Sequence, residues 1–89
     1  MRVVWTGPAV KDIAAHSAYL NQVNPLAAQA LAIALFTAGD SLAALPLRGR
    51  VGRLADTREL LAVSPYVIVY EVGVDAVTIL RIWHGSLLA

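Results

Sequence analysis

From Thr57 to His84 the chain reads as three extended segments, about 57–63, 66–73 and 76–84, separated by Ser64-Pro65 and by Gly73-Val74-Asp75. The segments are rich in β-branched and aromatic residues, and the separators are turn formers. Connections this short leave no room for a crossover, so neighbours must pair antiparallel and the run is a meander. With an even number of residues in each turn, the pleat sorts the side chains into two sets. One face carries Leu61, Val63, Tyr66, Ile68, Tyr70, Val72, Val77, Ile79, Arg81 and Trp83. The other carries Arg58, Leu60, Ala62, Val67, Val69, Glu71, Thr78, Leu80, Ile82 and His84. Both faces are apolar, whereas an open antiparallel sheet normally keeps one face wet.

The first half supplies one cover for that sheet. Arg2 to Thr6 is a short β-branched and aromatic strand. Thr6-Gly7-Pro8 offers an N-cap and a first-turn proline for a helix whose stripe is Val10, Ile13, Ala14, Ser17 and Leu20. Asn24-Pro25 repeats that signal for a second helix with the stripe Ala28, Leu31, Ala32, Leu35, Gly39 and Leu42, ending before Pro46. Two helices joined so tightly form a hairpin, and a hairpin covers one sheet face. The uncovered face then presents Leu, Val and Ile side chains flanked by Arg58 and His84, which reads as a binding groove. The alternatives are a sheet that dimerises or a turn that shifts the register.

Eighty-nine residues make one domain, 1–89, with one core. At 58% apolar residues and a mean hydropathy of +0.66, the chain must hide apolar surface against a partner or a bilayer. The longest apolar stretch, Leu26 to Gly39, is interrupted by Gln29 and Thr37 and ends at Asp40, short of the roughly 20 residues of a span. No signal-peptide core follows Arg2, so no membrane role is expected. The absence of cysteine suits a reducing cytoplasm. Two histidines and scattered acids make no metal site, and no cofactor motif is present.

The remaining signal is Pro46 to Leu60. Four of the seven cations, Arg48, Arg50, Arg53 and Arg58, lie here, interleaved with Gly49 and Gly52 that argue against regular structure. Arginine binds carboxylates and phosphates through a planar fork that stays charged. The loop therefore reads as a contact for an anionic surface, or as a solvated loop closed by Asp56 and Glu59. Arg81, in an apolar strand, reads as an ion-pair partner, with Glu59 as a candidate. His16 reads as solvated, His84 as lacking a nearby nucleophile, and Trp5, Trp83, Tyr66 and Tyr70 as core aromatics.

The order strand, two helices, three strands resembles the RelE/ParE superfamily of type II toxin–antitoxin toxins, and the likeness spans nearly the whole chain. Trp5 ahead of Ala9, Asp12 and Ile13, and Asn24-Pro25 before an alanine-rich helix, resemble the ParE branch. So do Leu45-Pro46, Gly49-Arg50-Val51-Gly52-Arg53 and Thr57-Arg58-Glu59-Leu60. Pro65 to Tyr70 and Ile79 to Gly85 complete the pattern.

The resemblance implies an α+β fold, β-α-α-β-β-β, with the helices on the sheet face bearing the two tyrosines. It implies a cytoplasmic toxin neutralised by a ParD-like antitoxin seated on the groove of Leu60, Ala62, Val67, Val69, Leu80 and Ile82. Arg48, Arg50, Arg53, Arg58 and His84 are then contacts for target or antitoxin. The implied target is DNA gyrase, bound without catalysis and without specific nucleic-acid recognition. The alternatives are a RelE-like ribosome-dependent mRNA endoribonuclease, or an inert homologue that only binds its antitoxin. RNA cleavage without metal needs a base and cations. At the positions where RelE-like members carry charge, this chain keeps Arg58 but has Leu60, Val67 and Leu87.

Overall fold

The computed structural model describes residues 1–88, with side chains through Ser86. The elements are β1 (Arg2–Trp5), α1 (Gly7–Asn21), α2 (Pro25–Asp40), β2 (Arg50–Val51), β3 (Arg58–Val63), β4 (Tyr66–Val72) and β5 (Ala76–His84). Short 3-10 turns occupy Ser41–Ala43 and Gly85–Leu88. The sheet order is β1-β5-β4-β3-β2. The meander β3-β4-β5 is antiparallel, as its turns require. β1 lies parallel to β5, so the first and last strands are neighbours. The glycine-flanked pair Arg50–Val51, expected as irregular loop, forms a two-residue strand antiparallel to β3.

Both helices begin where the caps place them. Thr6 Oγ1 accepts the Ala9 N–H at 3.3 Å and Asn24 Oδ1 accepts that of Ala27 at 3.1 Å, satisfying donors that a first turn leaves open. The α2 stripe is buried as expected at Ala28, Leu31, Leu35, Gly39 and Leu42, with Ala32 half-buried and Ala38 joining it. The α1 stripe is rotated: Ala9 and Ile13 are buried, while Val10 and Ala14 face outward. These helices pack on Leu60, Ile68, Tyr70, Val77, Ile79 and Ile82 of the sheet. Each fully buried Leu or Ile contributes about 1.5–3 kcal/mol, so this single layer supplies most of the driving force.

The expected division of the sheet faces holds beside the turns and fails beyond two bulges. Val63 pairs with Tyr66, Val72 with Val77 and Tyr70 with Ile79, all on the helix side. One extra residue then enters β3 between Leu60 and Val63, and another enters β5 between Ile79 and Arg81. Each insertion flips the alternation. Leu60 and Ile82 both become partners of Ile68 and are 5% and 1% exposed in the helix-covered core. Arg58 and His84 cross to the same side, opposite Tyr70 and Tyr66. Trp83 pairs with Val67 on the far face instead of joining the core.

The helical run through Ala43 is longer than the apolar stretch suggested: Pro25–Ala43 spans 19 residues and contains an 18-residue window of mean hydropathy 1.5, enough by length and composition to cross a membrane. Here it is anchored in the fold by its buried stripe and by Asp40, whose Oδ1 accepts the Trp5 indole N–H at 2.9 Å.

Candidate functional site

The Arg/Gly segment is built around two buried side chains. Tyr70, fully buried, donates its hydroxyl to Pro46 O and accepts the Gly49 N–H, each at 2.8 Å. A Cβ at Gly49 would lie 2.6 Å from that hydroxyl, so only glycine allows the approach. On the opposite face, Glu59 is 2% exposed and holds the loop electrostatically. Its Oε1 accepts from Arg50 Nη2 at 2.9 Å. Its Oε2 accepts from the Arg53 backbone N–H at 3.0 Å and from Arg53 Nε at 3.1 Å. Burial pushes the Glu59 carboxyl up. The Arg53 backbone N–H and the Arg50 and Arg53 guanidiniums outweigh it and leave the group below the ordinary carboxylate range. Asp56 forms no ion pair among the described residues but turns the loop at a positive φ of 60°.

The remaining cations do not join this clamp. Arg58 donates to Gly49 O at 2.8 Å and so braces the same loop from the Tyr70 side. Arg48 projects toward α2, its Nη1 on Ser41 Oγ at 2.8 Å. Arg50 and Arg53 keep roughly half of their side-chain surface, 54% and 44%, and border a shallow cleft with Leu61, Val67 and Gly85. The site is thus a pair of half-exposed guanidiniums in fixed positions.

His84 lies at the far end of the sheet. Its ring meets Tyr66 edge-on at 5.2 Å between centroids, and the His16 ring from α1 meets Tyr66 at 4.9 Å, tilted by 59°. Contrary to the sequence reading, a hydroxyl stands beside it: Ser86 Oγ is 2.6 Å from His84 Nδ1. The Ser86 backbone N–H also donates to Nδ1, at 3.2 Å, so the nitrogen is the acceptor and the serine O–H donates as well. His16 is not simply solvated, because its Nε2 donates to Ile82 O at 2.9 Å. Arg81 forms its ion pair with Asp12 at 2.7 Å, not with Glu59. No short-range signal marks either contact, since both partners come from α1, more than sixty residues earlier.

The six groove residues do not share one surface. Leu60 and Ile82 are core. Val67 and Val69 lie on the far face yet are 2% and 1% exposed. Leu80 sits at the β5 bulge, half-buried, and Ala62 is exposed beside α2. The side chain of Leu87 lies outside the described residues. Among those described, no group of three His, Cys, Asp or Glu side chains is placed to hold a metal.

This architecture matches that of a solved structure described as "Chromosomal ParDE TA system from P. aeruginosa". The TM-score is 0.85 over 94% of this chain and 95% of that one, at 23% identity, so the two chains share a fold. The sequence goes further. A family model described as the ParE toxin of type II toxin–antitoxin system, parDE, matches residues 3–87. "Toxin RelE2" of Caulobacter vibrioides is 49% identical over 87 residues, covering 98% of each chain. "Putative toxin Y4kP" of Sinorhizobium fredii is 40% identical over 85 residues, covering 94% of this chain and 88% of that one. The chain belongs to the ParE toxin family of type II toxin–antitoxin systems, and membership implies an antitoxin as its partner.

Proposed function

We propose that this toxin acts in the cytoplasm by binding and inhibiting DNA gyrase, and that a ParD-like antitoxin silences it. The observation that carries the reading is the Glu59 clamp. Two guanidiniums held on one buried carboxylate are already ordered, so they meet an acidic or phosphate-bearing surface at little entropic cost. The ribonuclease reading has less support. Leu60 is buried in the core and Val67 is a buried aliphatic, where cleavage needs charge on an accessible surface.

The test assays supercoiling and translation together, with the toxin alone and with its antitoxin. Inhibited supercoiling with intact mRNA is the expected result, and ribosome-dependent mRNA cuts would overturn it. The contact is tested with Arg50→Ala and Arg53→Ala in a Glu59→Gln background, which avoids stranding a buried charge. Inhibition should be lost while antitoxin affinity stays within about tenfold, roughly 1.4 kcal/mol. Full inhibition by that variant would remove the arginines from the target contact.

A further inference from the structure

The helical hairpin is apolar on two sides: its inner side forms the core, and its outer side is turned to solvent. Along α1, Val10, Ala14, Ser17, Ala18 and Asn21 recur at helical spacing and form one stripe. Val10 is 41% exposed, and Ala14, Ala18 and Asn21 are exposed with it. On α2 the matching stripe is Leu26, Gln29 and Ile33, with Leu26 79% exposed. A cleft runs between the two helices, floored by Ala18, Ala28 and Ala32 and lined also by Ser17, Asn21 and Gln29. The Ser17 Oγ is buried and has no hydrogen-bond partner among the described residues.

The charge pattern says what fits there. No Asp, Glu, Lys or Arg occurs from Ile13 to Gly39; all seven cations and six acids lie outside that run. His16, within it, is turned toward β5 with its Nε2 on Ile82 O. A face without charge has nothing to steer a charged partner, and it meets a copy of itself without like-charge repulsion. Its polar groups are two amides and a hydroxyl, each both donor and acceptor, so each can bond its own symmetry mate across a twofold axis. The small floor residues let two pairs of helices approach closely. A bilayer fits less well. Helices that lie on membranes are rich in Lys and Arg along their polar side, and hydrocarbon would leave Ser17 and both amides unpaired.

We propose that the outer face of the α1–α2 hairpin is an interface between two copies of this chain, related by a twofold axis, in which the helix pairs pack on each other as a four-helix layer. The Ser17 hydroxyl and the Asn21 and Gln29 amides find their partners in the second copy. The helices stand between this face and the far side of the sheet, so pairing leaves the Glu59 clamp of each copy outward. The proposal therefore stands whatever the target of the arginines.

Sedimentation equilibrium of the free toxin tests this. The wild type should reach twice the 9.4 kDa of the single chain at micromolar concentration. Ala18→Arg should raise the dimer dissociation constant at least about 100-fold, because the twofold axis places two unpaired charges in one interface. Leu26→Asp should raise it at least about tenfold. Both positions are exposed, so circular dichroism of the variants should match the wild type. The chain has no cysteine, so a single introduced thiol reports on proximity. Asn21→Cys should form a disulfide between copies on mild oxidation, and Val74→Cys, at the fully exposed β4–β5 turn, should not. If Ala18→Arg fails to fold, Leu26→Asp and the cross-link decide alone. A wild type that stays monomeric at millimolar concentration overturns the proposal. So does a dimer that both variants leave within threefold, or equal cross-linking at positions 21 and 74. A monomeric wild type whose antitoxin affinity falls tenfold in Ala18→Arg assigns the face to the antitoxin. A monomer that binds phosphatidylglycerol vesicles unless Leu26→Asp is present assigns it to a membrane. Either result overturns the pairing.

Discussion

A carboxylate as enclosed as Glu59 persists only if its charge is matched, and here the match comes from Arg50 and Arg53 on one short loop. Removing one partner exposes the asymmetry of such a site: the pair adds little net stability, but a stranded buried charge is costly. Arg53→Ala should therefore destabilise by about 2 kcal/mol, below the 3–5 kcal/mol typical of fully buried pairs because Arg53 keeps much of its surface. Adding Glu59→Gln should restore part of that loss, and urea denaturation midpoints of the two variants check it. Tyr70 makes a neutral counterpart on the other face. Tyr70→Phe leaves the Gly49 N–H and Pro46 O without their partner inside the protein. The expected cost is about 2 kcal/mol, with greater protease sensitivity at residues 46–52.

At the scale of elements, α1 both covers the sheet and closes its edge. β1 pairs with β5 only as far as Ile79, and the rest of that edge is satisfied by side chains from the α1 region. Thr6 Oγ1 donates to Ile79 O at 2.7 Å, Asp12 Oδ2 accepts the Ile82 N–H at 2.9 Å, and His16 donates to Ile82 O. A bare strand edge invites pairing with other chains, so Asp12→Asn, which also breaks the Arg81 pair, should increase self-association; light scattering over a concentration series checks this. The α2–β1 contact is decided at Gly39, where a Cβ would lie 2.3 Å from the Trp5 ring. That ring cannot easily yield, being bonded to Asp40 and packed on Phe36 at 4.9 Å. Alanine gains about 1 kcal/mol of helix propensity over glycine, but the overlap costs about 1–3 kcal/mol. Gly39→Ala should therefore lower the melting temperature, where an exposed helical glycine would raise it.

For the whole molecule, the two acids that tie distant segments together set the pH response. Burial pushes the Asp12 carboxyl up, but the Arg81 guanidinium, the Ile82 N–H and the nearby His16 hold it below its ordinary value, as the arginines do for Glu59. A carboxyl whose pKa is lowered by folding stabilises the protein above its unfolded pKa and loses that contribution as pH falls through the folded one. The contribution of these two carboxyls should be intact above about pH 5 and fall below about pH 4.5, where unfolded carboxyls take up protons. The fall should be shallower in Glu59→Gln, as thermal melts across that range would show. Residue order alone was enough to read the elements: both capped helices, the three meander strands and their antiparallel order. Those follow from local chemistry, namely caps, turn residues and connections too short to cross. It also carried the family, because its motifs run in order along the chain. Which way the strand residues face beyond the turns was settled by packing. With Leu, Val and Ile on both sides of the meander, either register buries apolar side chains, so the pattern could not reveal the bulges that sent Leu60 and Ile82 inward. The partners of Arg81, His16 and Glu59 were settled the same way, by which charged groups the packed helices and loop bring within reach once the core has formed.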